Sequence, residues 1–248
     1  MSSFAFSQEL PPIVKYAPIT YGGGNQNWMI SQDQNHYVYF ANNEGLLEFN
    51  GSNWQLYPSP NETIIRSVKV INDRIYTGCY MEFGFWTRQV NGKLKYTSLS
   101  RTIKNKILDD EQFWNVLKYD QFVIFQSLNR IYIYDTETKK FKIITPKNSI
   151  TKAFKTDNAI YFQVFNEGLF EIENGKSKLI SNDPCAFDNT FYFLLRPSKS
   201  RQVIRISTLA NADLFAPVFQ KDAQFAYKQI HPNTFFLEQD RIHGLAIV

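Results

Sequence analysis

One pattern returns along this chain at a nearly constant spacing, and it limits the possible folds more than any other feature. The segment NEGLLEFNG, which contains Gly45, returns as NEGLFEIENG around Gly168. These two glycines are 123 residues apart, which equals three units of 41 residues. A related glycine occurs in MEFGFW (Gly84) and in RIHGLAIV (Gly244), whereas LNRIYIYD has Arg130 in the same place. Self-similarity with a period of about 20–50 residues is typical of repeat architectures.

Each repeat unit reads as four short strands. An apolar segment precedes the glycine segment in six copies, which are YVYFA, RIYTG, FVIFQ, AIYFQ, TFYFL and TFFLE. A turn rich in Asn, Asp and Pro precedes each of them, and a further candidate strand, such as NWMIS or FWNVLKY, precedes the turn. Three glycine segments are followed by Asn-Gly, at 50–51, 91–92 and 174–175. This pair predicts two-residue hairpins with positive φ at both positions.

The repeat predicts an all-β fold, a β-propeller whose blades are four-stranded antiparallel meanders of about forty residues. The aromatic content of 16% agrees, because aromatic side chains suit half-buried pleated surfaces. We predict five blades and a partial sixth within 8–248. The ring is either incomplete, as in the front piece of a longer propeller, or closed by a strand at 12–18. The predicted blades lie near 25–60, 63–100, 112–147, 150–182, 185–220 and 225–248.

Composition argues against several classes of protein. The net charge of +4 is small and no block of Lys or Arg occurs, so we expect no nucleic acid to bind this segment. No apolar run approaches the length that crosses a bilayer. Residues 1–7 are either a disordered start or the remnant of a secretion signal. Cys79 is placed in a third strand of blade two and Cys185 in a first strand of blade five, too far apart for a disulfide.

The residues that carry the repeat also carry a family resemblance. NWMISQD, FANNEGLLEF, WQLYPSPNETIIRS and MEFGFW follow one another in this order. Together they resemble the sensor ectodomains of Bacteroidetes regulators, the two-component-regulator propeller proteins with a triple-tyrosine module. The resemblance covers residues 10–99 and fades beyond about residue 180.

This resemblance implies a periplasmic sensor domain of a membrane-anchored regulator that couples an extracellular signal to transcription. The further blades, triple-tyrosine module, membrane helix and DNA-binding domain of such regulators are not found in the 248 residues, so we expect a fragment. The implied partners are a glycan or another small extracellular ligand, a second copy of the chain, or the rest of the regulator.

No group of residues indicates catalysis, a cofactor or a metal. The three histidines, His36, His231 and His243, lack metal-ligand spacing, and no nucleophile or phosphate-loop motif occurs. The acidic run Asp109–Glu111 offers oxygen ligands for a cation, but a solvated loop between blades is the simpler interpretation. We therefore expect neither an enzyme nor a metal or cofactor site.

Propeller geometry points instead to the innermost strands, which line a central channel. Aligning the units on their second strands puts Trp28, Arg66, Trp114 and Thr151 at matching positions on first strands. The tryptophans could stack on a sugar ring while Arg66 bonds its hydroxyl groups, which makes these four the candidate ligand-binding residues. The alternative is that the tryptophans pack between blades and that Arg66 makes a structural ion pair or backbone contact.

Three classes of function stay open at this point. The first is a sensor domain that acts by binding and not by catalysis. The second is a propeller enzyme acting on polysaccharides, a lyase or glycosidase, which needs paired carboxylates or a Tyr or His base in the channel. The third is a scaffold that docks a partner protein. Convergence of Trp28, Arg66 and Trp114 favours ligand binding, and their dispersal favours a scaffold.

Overall fold

Short β-strands make up almost all regular structure in the described part of the chain. The computed structural model describes residues 14–156 and 159–182 and, as backbone alone, four later strands. Helix is limited there to α1 (Pro18–Tyr21) and a 3₁₀ segment at Ser100–Lys106, and neither is long and apolar enough to cross a bilayer. The strands are β1 Asn27–Gln32, β2 Val38–Asn42, β3 Gly45–Phe49, β4 Trp54–Pro58, β5 Ser67–Ile71, β6 Arg74–Gly78, β7 Phe83–Arg88, β8 Leu94–Ser98, β9 Asn115–Tyr119, β10 Phe122–Gln126, β11 Ile131–Asp135, β12 Phe141–Ile144, β13 Ile150–Lys155, β14 Ile160–Val164, β15 Gly168–Glu173, β16 Lys176–Ser181, β17 Phe191–Leu195, β18 Gln202–Ile206, β19 Ala226–His231 and β20 Thr234–Glu238.

Four consecutive strands form each complete sheet, in the order of the sequence. Sheet 1 contains β1–β4, sheet 2 β5–β8, sheet 3 β9–β12 and sheet 4 β13–β16, and all pairings are antiparallel. Two strand pairs, β17–β18 and β19–β20, follow. The segments predicted as second strands of the repeats are β2, β6, β10, β14, β17 and β20. The predicted all-β propeller of four-stranded meanders is confirmed, and no closed ring is seen within the described residues.

Neighbouring sheets pack face to face, and each of the three interfaces has its own hydrophobic core. Each large apolar side chain that is fully buried there contributes about 1.5–3 kcal/mol. The core between sheets 2 and 3 is largely aromatic, whereas the core between sheets 3 and 4 is rich in isoleucine. Members are Tyr39, Leu46, Val68 and Trp86 in the first core, Tyr76, Phe83, Phe113 and Phe125 in the second, and Ile124, Ile133, Ile160 and Val164 in the third.

The first strand of each sheet lies beside the first strand of the next, from β1 to β5, β9 and β13. The Val68 N–H donates to the sulfur of Met29 (3.4 Å) and the Val70 N–H to Ser31 Oγ (2.9 Å), so β1 and β5 run in the same direction. The N-terminal ends of the first strands therefore gather at one end of the molecule. We call it the linker end because the links between sheets lie there, and we call the opposite end the hairpin end.

The turns at the hairpin end follow the polar residues of the sequence, with one correction. Asn174 and Gly175 both have positive φ, 52° and 74°, as a two-residue hairpin requires. The other two Asn-Gly pairs lie in longer loops in which only the glycine has positive φ, so the prediction is wrong for them. In one of these loops the Asn50 side chain accepts hydrogen bonds from the Ser52 and Asn53 N–H groups, which stabilises an alternative turn.

The start of the described chain packs on the free face of sheet 1. Tyr16 and Tyr21 contact Trp54, with ring centroids 5.3 and 5.5 Å apart. Residues 14–17 belong to no strand, so the described part of the segment at 12–18 does not extend a sheet. Cys79 follows β6 and precedes β7 instead of lying in the third strand of its blade, because β7 begins only at Phe83.

Several sequence predictions lie outside the described residues. They include the nature of residues 1–7, the strand that contains Cys185, and His243. In the blades predicted at 185–220 and 225–248, only the paired strands β17–β18 and β19–β20 are described.

Candidate functional site

Three side chains from three different sheets meet at the linker end. Trp28 comes from β1, Arg66 immediately precedes β5, and Trp114 immediately precedes β9. The guanidinium carbon of Arg66 lies 4.1 Å from the centroid of the Trp28 ring and 4.6 Å from that of Trp114. The two indole rings meet edge to face, with centroids 5.9 Å apart. Stacking of a guanidinium on indole faces is favourable because the ring face is electron-rich.

A shell of hydrogen bonds holds these three side chains in place. The Trp28 indole N–H donates to Asn43 Oδ1 (2.8 Å), and Arg66 Nε donates to Gln112 Oε1 (3.2 Å). The backbone N–H groups of Arg66 and Trp114 donate to the last carbonyl of the neighbouring second strand, at 2.8 and 2.9 Å. All three side chains are half-buried, so the cluster is packed on one side and open to solvent on the other.

The link between sheets 2 and 3 supplies Gln112 to this cluster. Of its acidic residues, Asp109 and Asp110 are exposed, as the interpretation of a solvated loop predicts, whereas Glu111 is buried. Glu111 is only 1% exposed and accepts hydrogen bonds from Ser127 Oγ (2.5 Å), the Tyr132 hydroxyl (2.6 Å) and the Leu108 N–H (3.0 Å). Asp110 accepts from the Tyr80 hydroxyl at 2.5 Å. Across the described ranges, no three His, Cys, Asp or Glu side chains are grouped to hold a metal ion.

Arg66 carries a charge that no acidic side chain of the described residues neutralises. In the described part of the chain, the ion pairs are Glu48–Arg88 and Glu173–Lys178, and neither involves Arg66. Its Nη1 and Nη2 groups have no hydrogen-bond acceptor among the described residues. Burial lowers the pKa of Arg66 from its ordinary value, although the group stays charged near neutral pH. The structural ion pair that the sequence left open for this arginine is therefore not formed there.

Thr151 is not part of the cluster. Its side chain is exposed, and its hydroxyl donates to the Gln163 carbonyl at 3.4 Å. The four candidates also do not occupy the one matching position on their first strands that the alignment of the repeats predicted. Trp28 and Thr151 each lie at an irregularity of the first strand, whereas Arg66 and Trp114 each stand one residue before a regular strand.

A second set of polar residues, missed by the sequence analysis, lies at the hairpin end. Arg88 of β7 binds Glu48 of β3 (2.5 Å) and the Tyr39 hydroxyl (3.0 Å), and it stacks on Tyr37. This contact joins sheets 1 and 2. The available signal was Glu48 itself, a single charged residue in the otherwise apolar strand GLLEF.

Two surface grooves also lie at the hairpin end, away from the tryptophans. The larger, about 490 Å³, runs between sheets 2 and 3 and is lined by residues of both signs of charge, among them Asp73, Arg74 and Lys118. The smaller, about 290 Å³, lies between sheets 1 and 2 beside Arg88.

Comparison with known proteins finds similarity among solved structures. No protein-family model and no curated protein matches the chain. Among solved structures, the extracellular domain of BT3049, described as a hybrid two-component system of B. thetaiotaomicron, aligns with a TM-score of 0.52 at 14% identity, over 68% of this chain and 26% of that one. The extracellular domain of BT4673 from the same organism aligns with a TM-score of 0.49 at 22% identity, over 62% and 21% of the two chains. The WD40 propeller of Doa1 aligns with a TM-score of 0.49 at 12% identity, over 65% and 56%.

The alignment with the BT3049 domain is one of fold alone. The chain spans about a quarter or less of the length of the two Bacteroides extracellular domains. The similarity to the BT3049 extracellular domain is thus a similarity of architecture.

Proposed function

We propose that the chain is an extracytoplasmic recognition domain of a signalling protein, and that it binds a ligand at the linker end without transforming it. The observation that carries the proposal is the convergence of Trp28, Arg66 and Trp114 from three sheets. A structural role requires only neighbouring sheets to touch, whereas this contact joins sheets 1 and 3 across sheet 2. The periplasm as the compartment, and a larger regulator as the context, belong to the same proposal.

The cluster has the properties of a preorganised binding site. Its cation is fixed by two indole faces and by Gln112, so little side-chain entropy is lost when a ligand arrives. A ligand seated there touches three sheets at once and changes the free energy of their relative arrangement. A sensor needs such a differential contact, because a ligand shifts an equilibrium only by its difference in affinity for the two states.

A docking surface for a protein is the second candidate function, and one observation favours it. Three apolar side chains in the loops of the linker end are exposed, namely Tyr80 by 37%, Leu128 by 47% and Phe165 by 47%. They belong to sheets 2, 3 and 4, and large exposed apolar side chains on one surface are typical of interaction sites. Under this alternative the tryptophan cluster shapes the surface and binds no small ligand.

Thermal unfolding with a ligand collection tests the proposal, because a ligand that binds only the folded state raises Tm. The collection contains neutral and acidic oligosaccharides and small metabolites. We expect at least one compound to raise Tm of the wild-type chain, and Trp28→Ala and Trp114→Ala to abolish the shift. Val90→Ala, at an exposed hairpin of the opposite end, is the control and should keep it.

Two results would count against ligand binding at this cluster. The first is that no compound raises Tm. The second is that the shift is the same in both tryptophan variants as in the wild-type chain. Loss of a partner protein's binding in Leu128→Asp or Phe165→Asp, with no small-molecule response, would support the docking alternative.

A further inference from the structure

The faces of the two indoles that point at Arg66 are not free to stack on a sugar. The guanidinium lies 4.1 and 4.6 Å from the two ring centroids, which is contact distance for a flat group. A sugar ring would have to displace the arginine to reach these faces. The tryptophans therefore hold the cation, and the cation is what the cluster presents to solvent.

The orientation of Arg66 leaves one edge of its guanidinium available. Nε is occupied by Gln112, whereas Nη1 and Nη2 have no acceptor in the described residues. Those two groups form one side of the guanidinium fork, and their spacing matches the two oxygens of a carboxylate.

No acidic side chain of the described chain reaches this edge. The nearest acidic residues in the link that carries Gln112 are Asp110 and Glu111. The hydroxyl of Tyr80 occupies the first, and Ser127, Tyr132 and the Leu108 N–H occupy the second. The half-buried position of Arg66 strengthens its attraction for an anion, because less water screens the pair.

We infer that the ligand of this site carries a carboxylate or an equivalent oxyanion, which the Nη edge of Arg66 binds in a two-point contact between Trp28 and Trp114. The inference rests on the proposed function, since it names the chemical class of the ligand. Specificity follows from the fixed fork, which distinguishes an oxyanion from a neutral hydroxyl.

A pair of probes, one with free carboxylates and one with the same groups methylated, tests this inference on the intact chain. Digalacturonate and its dimethyl ester are titrated separately, and binding is followed by the fluorescence of the tryptophans and by calorimetry. We expect the acid to bind about ten- to a hundredfold more tightly than the ester, the range of a hydrogen bond to a charged group. The affinity for the acid should fall as salt concentration rises.

Substitutions of Arg66 test whether its guanidinium group binds the carboxylate. Arg66→Lys keeps the charge but removes the fork, and we expect at least about a tenfold loss of affinity for the acid. Arg66→Met should abolish the difference between acid and ester. Arg74→Met is the matched control, because Arg74 also stacks on an aromatic ring, Phe85 at 4.4 Å, but lies at the hairpin end.

Competition experiments distinguish a carboxylate ligand from other oxyanions. Glutarate, sulfate and inorganic phosphate are each added to the digalacturonate complex. Displacement by glutarate alone assigns the site to carboxylates, and displacement by all three assigns it to oxyanions in general; both results support the inference.

Equal binding of the acid and the ester, lost in Trp114→Ala, overturns the inference and leaves the proposed function standing. If no acidic and no neutral compound binds, both fail. The comparison of acid with ester needs no variant, so it stays decisive even if an Arg66 substitution prevents folding.

Discussion

At the scale of single residues, the repeated glycine has a steric cause. Gly45 begins β3 with φ of 149°, and a Cβ atom there would lie 2.2 Å from the Tyr57 carbonyl oxygen. Gly168 begins β15 with φ of 118°, and its Cβ would lie 2.0 Å from the Ser181 carbonyl oxygen. In both sheets the backbone of the fourth strand occupies the space of a side chain. NEGLLEFNG and NEGLFEIENG resemble each other because they solve the same packing problem.

The first prediction concerns these glycines. Gly45→Ala and Gly168→Ala should each destabilise the fold by about 2–4 kcal/mol, because strained φ and a carbonyl clash add to each other. Gly51→Ala separates the two effects, since Gly51 has φ of 94° but open space around it, and it should cost about 1–2 kcal/mol. Urea unfolding measures all three. Equal losses in the three variants would contradict the steric explanation.

A second prediction concerns the thiol of Cys79. Its side chain is fully buried, and burial raises its pKa to about 12. In a Cys185→Ser background, we expect a thiol reagent at pH 8 to label the folded chain at least about a thousandfold more slowly than the urea-unfolded chain. Reaction is followed spectrophotometrically. Complete labelling of the folded chain within minutes would show that this position opens readily.

The sequence could predict the Trp28, Arg66 and Trp114 part of the candidate site. Two tryptophans and an arginine stand near the starts of first strands, and the repeat places those starts at one end. The position of Thr151 outside the cluster could not be foreseen, because Trp28 lies at an equivalent irregularity of β1 and is part of the cluster. Gln112 could not be foreseen either, since it lies in a link whose path no repeat specifies.

At the scale of elements, the strands were predictable and their connections less so. Each strand is a short apolar segment between polar turns, so alternation and turn chemistry locate it. The loops at Asn50 and Asn91 are longer than a two-residue hairpin because asparagine side chains bond backbone N–H groups there. The contact between Glu48 and Arg88 depends on how β3 of sheet 1 faces β7 of sheet 2. No local sequence pattern predicts that arrangement.

The third prediction concerns this contact between sheets. Burial lowers the pKa of Arg88, but its hydrogen bonds to Glu48 and Tyr39 outweigh that effect and raise the pKa above its ordinary value. Glu48→Gln should destabilise the fold by about 1–3 kcal/mol, less than for a fully buried pair because Arg88 is 35% exposed. Glu173→Gln, in a pair exposed by more than half, is the control and should cost under about 0.5 kcal/mol. Equal effects in chemical unfolding would contradict the prediction.

At the scale of the whole molecule, stability comes from the contacts that each sheet makes with its neighbours. The architecture could be predicted because a forty-residue meander cannot bury both of its faces alone. The distribution of aromatic side chains among the three cores could not, because face assignment and packing partners emerge only once the sheets are stacked. Several tyrosines are buried in these interfaces, among them Tyr39, Tyr76 and Tyr132.

The fourth prediction follows from those tyrosines. Burial raises the pKa of Tyr39, Tyr76, Tyr96 and Tyr132 above the ordinary value of 10. Tyrosines of the unfolded chain release protons near pH 10 while these still hold theirs, so the stability present below pH 10 is lost as pH rises. Tm measured by circular dichroism should fall steeply between about pH 10 and 11.5.

Two variants separate buried tyrosines from general alkaline effects. Tyr96→Phe removes one titrating group and should make the fall of Tm less steep, although it also loses the hydrogen bond to Glu82 at every pH. Tyr16→Phe, 43% exposed, should keep the wild-type slope. Folded-state titration of all tyrosines near pH 10, seen at 295 nm, would contradict the prediction.

The contact of Trp28 with Trp114 has a mechanical consequence. It fastens the first sheet to the third, whereas among the four complete sheets that the structure describes the fourth packs only on the third. Stretched in an optical trap, the fourth sheet should peel away at low force. Sheets 1 to 3 should then unfold together in one larger step, at a force that depends on the contacts of Trp28 and Trp114 with Arg66.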